Sequence, residues 1–214
     1  MTQARAPLSE LEIDALTELL NIGVSKAATS LRDLIGTHVA LSVPHLALLS
    51  REEAAKTMTE REANALVGVH QSFEGDLQGR ALLIFPEAKS LELVRAVAGG
   101  DLSLEDIIAL EHEALAETGN IILNNCLATM ANLLKRRVKI SLPKIVHGTG
   151  ETIFNIGDTS EEGDSALFLY IDFLIRDRDI RGYITMLMDM PALFALRELL
   201  REFIERTSGE TRAE

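Results

Sequence analysis

The sequence predicts an α+β fold: two helix–strand–hairpin–helix units, related by a pseudo-two-fold, share one largely antiparallel sheet and carry the same motif on two long helices. Three observations predict it. The chain contains an internal duplication. Hydrophobic periodicity runs through the same order of elements in each half. The 214 residues are 47% hydrophobic, enough for one sizeable core or two small ones that share a sheet, and with 4% aromatics and no Trp that core is aliphatic.

The duplication is clearest at Asp14-Ala15-Leu16-Thr17-Glu18-Leu19-Leu20-Asn21, which returns 99 residues later as Glu113-Ala114-Leu115-Ala116-Glu117-Thr118-Gly119-Asn120. At the same offset Glu12 matches Glu111, Ile22 matches Ile121 and Leu34 matches Leu133. Val39, Ser42 and Pro44 match Val138, Ser141 and Pro143.

Taken in order, residues 1–8 read as a frayed lead-in. Ser9 with Glu12 forms a capping box. Ile13, Leu16, Leu20, Val24, Ala27, Leu31 and Leu34 then make an apolar helical stripe that Gly36 ends. Asp14, Glu18, Asn21 and Ser25 lie off that stripe, toward solvent. Thr37–Val43 alternates as a strand and stops at Pro44. Residues 51–64 are charged and poorly periodic, a short helix or a loop. Ala65–Phe73 and Leu77–Phe85 form a hairpin through Glu74-Gly75-Asp76. Pro86 opens a helix to about Val97, closed by Gly99-Gly100.

The second half repeats this order. A helix over 104–135 buries Leu115, Leu123, Cys126, Met130 and Leu133, and Gly119 on the same stripe admits a close neighbour. A strand over Arg136–Leu142 ends at Pro143, and residues 148–164 form a loop. Ala166–Ile175 and Arg181–Met188 make a second hairpin, in which Gly182 matches Gly79. Pro191–Phe203 closes the chain. No linker separates the halves, so one domain over residues 1–214 is expected, built from repeats at about 9–100 and about 104–206.

A formal net charge of -12 disfavours nucleic acid and anionic membrane as partners. The lone Cys126 fits a reducing compartment. Met1–Pro7 has no apolar signal region, and no apolar run is long enough to span a bilayer. A cytoplasmic location is expected.

Spacings of four and three set each acid, Glu and Asn on one helix face. A solvated face is the plainer reading of a single such set. The duplication weighs against it, because these identities persist where core positions have drifted, Leu20 to Gly119 and Ala27 to Cys126. An Asn amide can hold and aim a water, and a Glu can pair with a cation on another protein. Together they suit positioning a water in line with a phosphoryl group held elsewhere, chemistry that depends on placement and charge neutralisation.

The duplicated pattern Asp/Ser-x-x-x-Glu-x-x-Asn resembles the CheC–CheX–FliY phosphatase family of bacterial chemotaxis, from about residue 9 to about 205. The Glu74 to Pro86 hairpin with its Ile-Phe-Pro tail shares in the likeness. Two intact pairs resemble the CheC type more than the shorter, one-site CheX type, and the added flagellar-switch domain of FliY has no counterpart. The resemblance implies that Glu18, Asn21, Glu117 and Asn120 are catalytic, with Asp14 and Glu113 supporting docking. Each Glu would bind the phosphate-site lysine of a phosphorylated CheY-like response regulator, and each Asn would orient the attacking water. It also implies Mg2+ on the regulator, no cofactor on this chain and CheD as a candidate second partner; the two-site layout favours a monomer. A non-catalytic adaptor using the same faces is the alternative.

His38, His45, His70, His112 and His147 show no metal spacing. Asp158, Glu161, Glu162 and Asp164 lack a calcium-loop register. Asn124 and Asn125, a turn past the second motif, read as surface residues, with Asn124 able to extend the docking face. Facing solvent, Asn21 and Asn120 are each expected to contribute no more than about 0.5 kcal/mol to stability.

Overall fold

In the computed structural model, which describes residues 8–62, 65–99, 102–155, 165–175 and 178–210, the first helix α1 runs over Glu10–Ile35. Its start is the predicted capping box: Ser9 Oγ accepts from the Glu12 backbone, and the Glu12 carboxylate accepts from the Ser9 N–H. Gly36, at φ 66°, ends it and donates to the Arg32 carbonyl. Leu8, expected in a frayed segment, is instead buried in the core; residues 1–7 lie outside the described residues.

The remaining elements are β1 (Val39–Ser50), α2 (Arg51–Arg61), β2 (Leu66–Gly75), β3 (Gly79–Pro86), α3 (Glu87–Ala98), α4 (Leu104–Leu133), β4 (Val138–Ile140), β5 (Lys144–Gly148), α5 (Gly150–Phe154), β6 (Ser165–Ile175), β7 (Arg178–Met188) and α6 (Met190–Glu210). Pro44 does not end the first strand. Register shifts between Ser42 and His45, so Val43 and Pro44 form a bulge, and pairing continues to Ser50. Because β1 lies at the sheet edge, a proline without an N–H is tolerated in the bulge. At the duplicated place, Leu142-Pro143, the second half breaks into β4 and β5. The same two-residue interruption is thus absorbed as a bulge in one copy and a break in the other.

The loop expected over 148–164 is also corrected. Residues 150–154 form α5, N-capped by Thr149, and Thr149 matches Ser50, the N-cap of α2, at the offset of 99. Asp158, Glu161, Glu162 and Asp164 lie outside the described residues, as do Gly100 and Ala63-Asn64. The last helix runs seven residues beyond the expected Phe203, to Glu210.

All pairings are antiparallel, in the order β1-β6-β7-β3-β2-β4, with β5 also on β2. The local two-fold passes between β3 and β7. Arg80 lies opposite Leu187 and Ile84 opposite Tyr183, and both correspondences follow the Gly79-to-Gly182 offset. Each half's first strand pairs with the other half's hairpin: β1 with β6, and β4 and β5 with β2.

On one face α1, α3, α4 and α6 bury Leu16, Leu20, Val24, Leu93, Leu123, Met130 and Leu196 against Val69, Leu83 and Ile184. On the other, α2 and α5 cover Leu82, Ile84 and Phe168 with Met58 and Phe154. The two long helices pack antiparallel. A Cβ built at Gly23 would stand 2.8 Å from Cys126 Cα, while Leu34 and Ile35 at the end of α1 share a groove with Leu110 and Ala114 near the start of α4.

Gly23→Ala tests this crossing. In a free helix the change would gain up to about 1 kcal/mol. Here the added methyl meets backbone, and overpacking of about 1–3 kcal/mol prevails. Urea unfolding should show a net loss of stability; a neutral or stabilising result would contradict the close approach.

Candidate functional site

The acids stand where the helix period puts them: Asp14 and Glu18 on α1, and Glu113 and Glu117 on α4, are exposed. The asparagines differ from the expectation. Asn21 and Asn120 are half-buried, because each leans toward the strand beneath its helix.

In the first site Asn21 Oδ1 accepts from the Val43 backbone N–H at 3.3 Å. Val43 sits in the β1 bulge, where the shift in register takes its N–H out of the ladder. A backbone N–H can only donate, which fixes the orientation of the Asn21 amide.

In the second site the partners are side chains. Gln71 Nε2 donates to the Ser141 carbonyl at 2.8 Å and to Asn120 Oδ1 at 3.1 Å. Asn124 Nδ2 donates to the same Oδ1 at 2.7 Å. The Ser141 carbonyl can only accept, so it sets the Gln71 amide, which sets Asn120, which sets Asn124. In both sites the acceptor oxygen is held by the chain's own groups. Among the described residues nothing takes the Nδ2 protons of Asn21 or Asn120, which remain free to donate.

Two shallow depressions accompany these residues. Glu18, Asn21, Ile22, Ser25, Lys26 and Thr29 line one of about 360 Å³. Glu113 and Glu117 border the other, about 340 Å³, whose floor is apolar and includes Leu34, Ile35, Val97 and Leu110. With Gly23 beside Cys126, Asn120 comes level with Thr29, about eight residues beyond Asn21, or roughly 12 Å along the helix pair. Glu18 and Glu117 are separated by about fourteen residues, or roughly 21 Å, on the same reckoning. The structure therefore does not merge the motifs into one cluster.

Several expectations change. Asn124 is a half-buried partner of Asn120, and Asn125 donates to the Ile121 carbonyl within α4. Gly119 does admit the close neighbour expected of it, and that neighbour is β2: a Cβ there would meet the Val69 side chain at 2.5 Å. Gln71 escaped the sequence reading, although it falls in phase with Val67, Val69 and Phe73 on the core face of β2, and a polar residue in that phase was the available signal.

The matched acids Glu12 and Glu111 serve the scaffold. Glu12, 4% exposed, pairs with Arg197 of α6 at 3.4 Å. Burial works to raise its pKa, but hydrogen bonds from Ser9 and the Arg197 guanidinium together hold it below the ordinary value. Glu111 accepts from Ser90 of α3 at 2.9 Å. Burial pushes the Cys126 thiol up to about 12. His70 is buried with neither ring nitrogen bonded, and burial, then Arg80 and Lys144, lowers its pKa. Among the described residues there is no group of three or more His, Cys, Asp or Glu placed to hold a metal ion.

Fold and sequence together define a pseudo-symmetric protein that carries the same motif on each of its two long helices. A family model described as "Chemotaxis phosphatase CheX" matches residues 67–163, and one described as "CheC-like family" matches residues 11–47. The CheY-P phosphatase CheC of Bacillus subtilis (strain 168) is 26% identical over 191 residues, covering 85% of this chain and 90% of that protein. The putative CheY-P phosphatase CheC1 of Halobacterium salinarum is 22% identical over 185 residues, covering 86% and 93%. The crystal structure of Thermotoga maritima FliY superposes with a TM-score of 0.70 at 19% identity, covering 92% of this chain and 98% of that one. Over most of its length the chain is similar to proteins of the CheC–CheX–FliY family. No helix among the described residues is long and apolar enough to cross a membrane.

Two outcomes test the site as a structure. Removing either asparagine takes away a partly buried acceptor, so Asn21→Ala and Asn120→Ala should each lose about 0.5–1.5 kcal/mol, more than the sequence alone implied, as read by chemical denaturation. Cys126 should resist a thiol reagent at pH 8 in the native protein and react on unfolding; labelling of the folded chain would contradict its burial.

Proposed function

We propose that this chain dephosphorylates the aspartyl phosphate of a CheY-like response regulator at two sites, Glu18 with Asn21 and Glu117 with Asn120. The observation that carries the reading is the state of the two asparagines. Each has its oxygen tied down and its amide protons available, three residues after an exposed carboxylate. A donor held in this way orients a water by its lone pair and directs it along one line. The water oxygen attacks phosphorus, the bond to the aspartyl oxygen breaks, and the regulator's carboxylate and inorganic phosphate leave. The Glu pairs with a lysine of the regulator and sets the distance between the two proteins.

Mg2+ belongs to the regulator in this proposal, where it neutralises phosphoryl charge. The names of two relatives, a CheY-P phosphatase and a putative one, support the substrate class. A cytoplasmic setting follows from that substrate. Asp14 and Glu113 extend the acidic docking edge.

Asn21→Ala combined with Asn120→Ala should abolish accelerated phosphate release from the phosphorylated regulator while circular dichroism stays native. Turnover that survived in a folded double variant would overturn the assignment of the two asparagines, whereas no acceleration by the unsubstituted protein would favour the adaptor role. Each single variant should keep part of the activity, with the two kcat/KM values summing to about that of the unsubstituted protein. Complete loss in either one would mean a site spanning both helices.

Charge reversal at Glu18 and Glu117 should raise KM more than it lowers kcat, and added salt should weaken the native interaction. An association indifferent to both changes would exclude the lysine pairing.

A further inference from the structure

The two sites hold their asparagines by different means, and the difference is written in the sequence. Asn120 Oδ1 receives two side-chain donors, Gln71 Nε2 at 3.1 Å and Asn124 Nδ2 at 2.7 Å. Asn21 Oδ1 receives the Val43 backbone N–H at 3.3 Å.

The corresponding positions of the other copy cannot reproduce the cradle. Asn124 matches Ser25 at the offset of 99. Gln71 matches Leu169: Gln71 lies opposite Ala81 and Leu169 opposite Ile184, and Ala81 and Ile184 correspond as Gly79 and Gly182 do. Leucine has no donor at all. In return, the backbone donor of the first site is lost from the second. Leu142, which matches Val43, stands at the break between β4 and β5 with its side chain 84% exposed.

We propose that Gln71, with Asn124, is a positioning residue for the second site alone. It holds the Asn120 carboxamide with its amide protons outward, and so sets the rate of that site independently of the first. The inference rests on the phosphatase reading above and specifies how one of its two sites is tuned.

The geometry favours Gln71 as the leading member. Its side chain is fully buried, at 0% exposure. Its Nε2 bridges α4 to the Ser141 carbonyl beyond β4, so its amide cannot turn without breaking that bond. Its Oε1 is buried with no partner. A buried amide with an unsatisfied acceptor is an expensive residue to keep in an aliphatic core. Val67, Val69 and Phe73 show what the same face of β2 otherwise carries. Asn124, half-buried on the helix surface, adds the shorter bond but less constraint. Two donors converging on one oxygen leave Asn120 a single orientation, in which only Nδ2 meets an incoming water.

The test isolates each site. With Asn21→Ala present, the second site alone acts; Gln71→Leu, which places there the residue of the other copy, should then lower kcat roughly ten-fold through lost alignment, with KM changed less than about two-fold because Glu117 is untouched. Asn124→Ser should act in the same direction and more weakly. With Asn120→Ala present, Gln71→Leu should leave the rate of the first site unchanged. Equal losses in both backgrounds would indicate a general structural defect and overturn the assignment, as would a rise in KM with kcat intact.

A second measurement needs no turnover. The side-chain amide of Asn120 should give sharp NMR resonances in the unsubstituted protein and exchange-broadened ones in Gln71→Leu. Sharp, unshifted resonances in the variant would overturn the cradle even if the protein is a phosphatase. If the broadening appears but no phosphatase activity exists, the cradle stands as structure, and the functional reading fails together with the rate-setting role given to Gln71. Should Gln71→Leu not fold, Asn124→Ser carries both measurements, and an unchanged kcat with unchanged resonances would again overturn the assignment.

Discussion

Each half of this chain depends on the other to finish its part of the sheet. β1 finds its partner in β6, and β4 and β5 find theirs in β2, so the outer strand of each repeat is held by the hairpin of its twin. A repeat standing alone would leave β2 or β6 with a row of unpaired backbone groups. The antiparallel crossing of α1 on α4, close enough that Gly23 touches Cys126 backbone, follows from the same two-fold. Once the β3–β7 pair fixes the axis, the helices above it must meet near its line, and a residue without a side chain lets them do so. The scaffold acids obey the same symmetry: Glu12 ties α1 to α6 and Glu111 ties α4 to α3, each first helix joined to a different last helix.

The interruption in the first strand of each repeat decides how each asparagine is held. Val43-Pro44 and Leu142-Pro143 occupy equivalent places, beneath Asn21 and Asn120. Proline cannot donate, so the ladder must fail there in both copies. In the first copy the failure is a bulge that gives Val43 N–H to Asn21. In the second it is a break, and Gln71 reaches across to the Ser141 carbonyl and Asn120. Both solutions hold the amide oxygen and leave the amide protons free. The two copies have diverged in means while keeping the same hydrogen-bonding end state, which is what a requirement on the asparagine's orientation would produce.

Much of this was legible in the sequence. The duplication, the capping box at Ser9, the hairpin at Glu74-Gly75-Asp76 and the exposed acids follow from local spacing, and the structure has each of them. Three features resisted for physical reasons. Pro44 reads as a strand end because only knowledge of the sheet edge shows that its missing N–H is tolerable. α5 has five residues, too few for a helical period to show. The environment of the asparagines is tertiary: helix spacing says which side of α1 or α4 a residue is on, but not how near β2 and the bulge of β1 come to that side. Asn21 and Asn120 therefore read as solvent-facing, and Gln71 and Asn124 went unassigned to the site. Gly119 shows the same limit, since its spacing announced a close neighbour and only packing identified it as Val69.

The separation of the motifs shapes what two sites can accomplish under the proposed reading. The asparagines lie roughly 12 Å and the glutamates roughly 21 Å apart along the helix pair. A partner domain of 100–150 residues has a radius of gyration of about 13–15 Å, so its diameter exceeds either separation. Two such partners on one helix face compete for space unless both lean away from the axis. Competition leaves capture additive, because at low partner concentration each encounter finds the protein empty and either site can accept it. It removes additivity at saturation, where one bound partner shields the second site and the observed turnover becomes a weighted mean of the two. Duplication on these terms raises the chance that an arriving phosphorylated partner finds a competent site. It also gives a structural reason for the copies to diverge, since two sites that take turns can differ in speed or in preferred partner without loss of the shared fold.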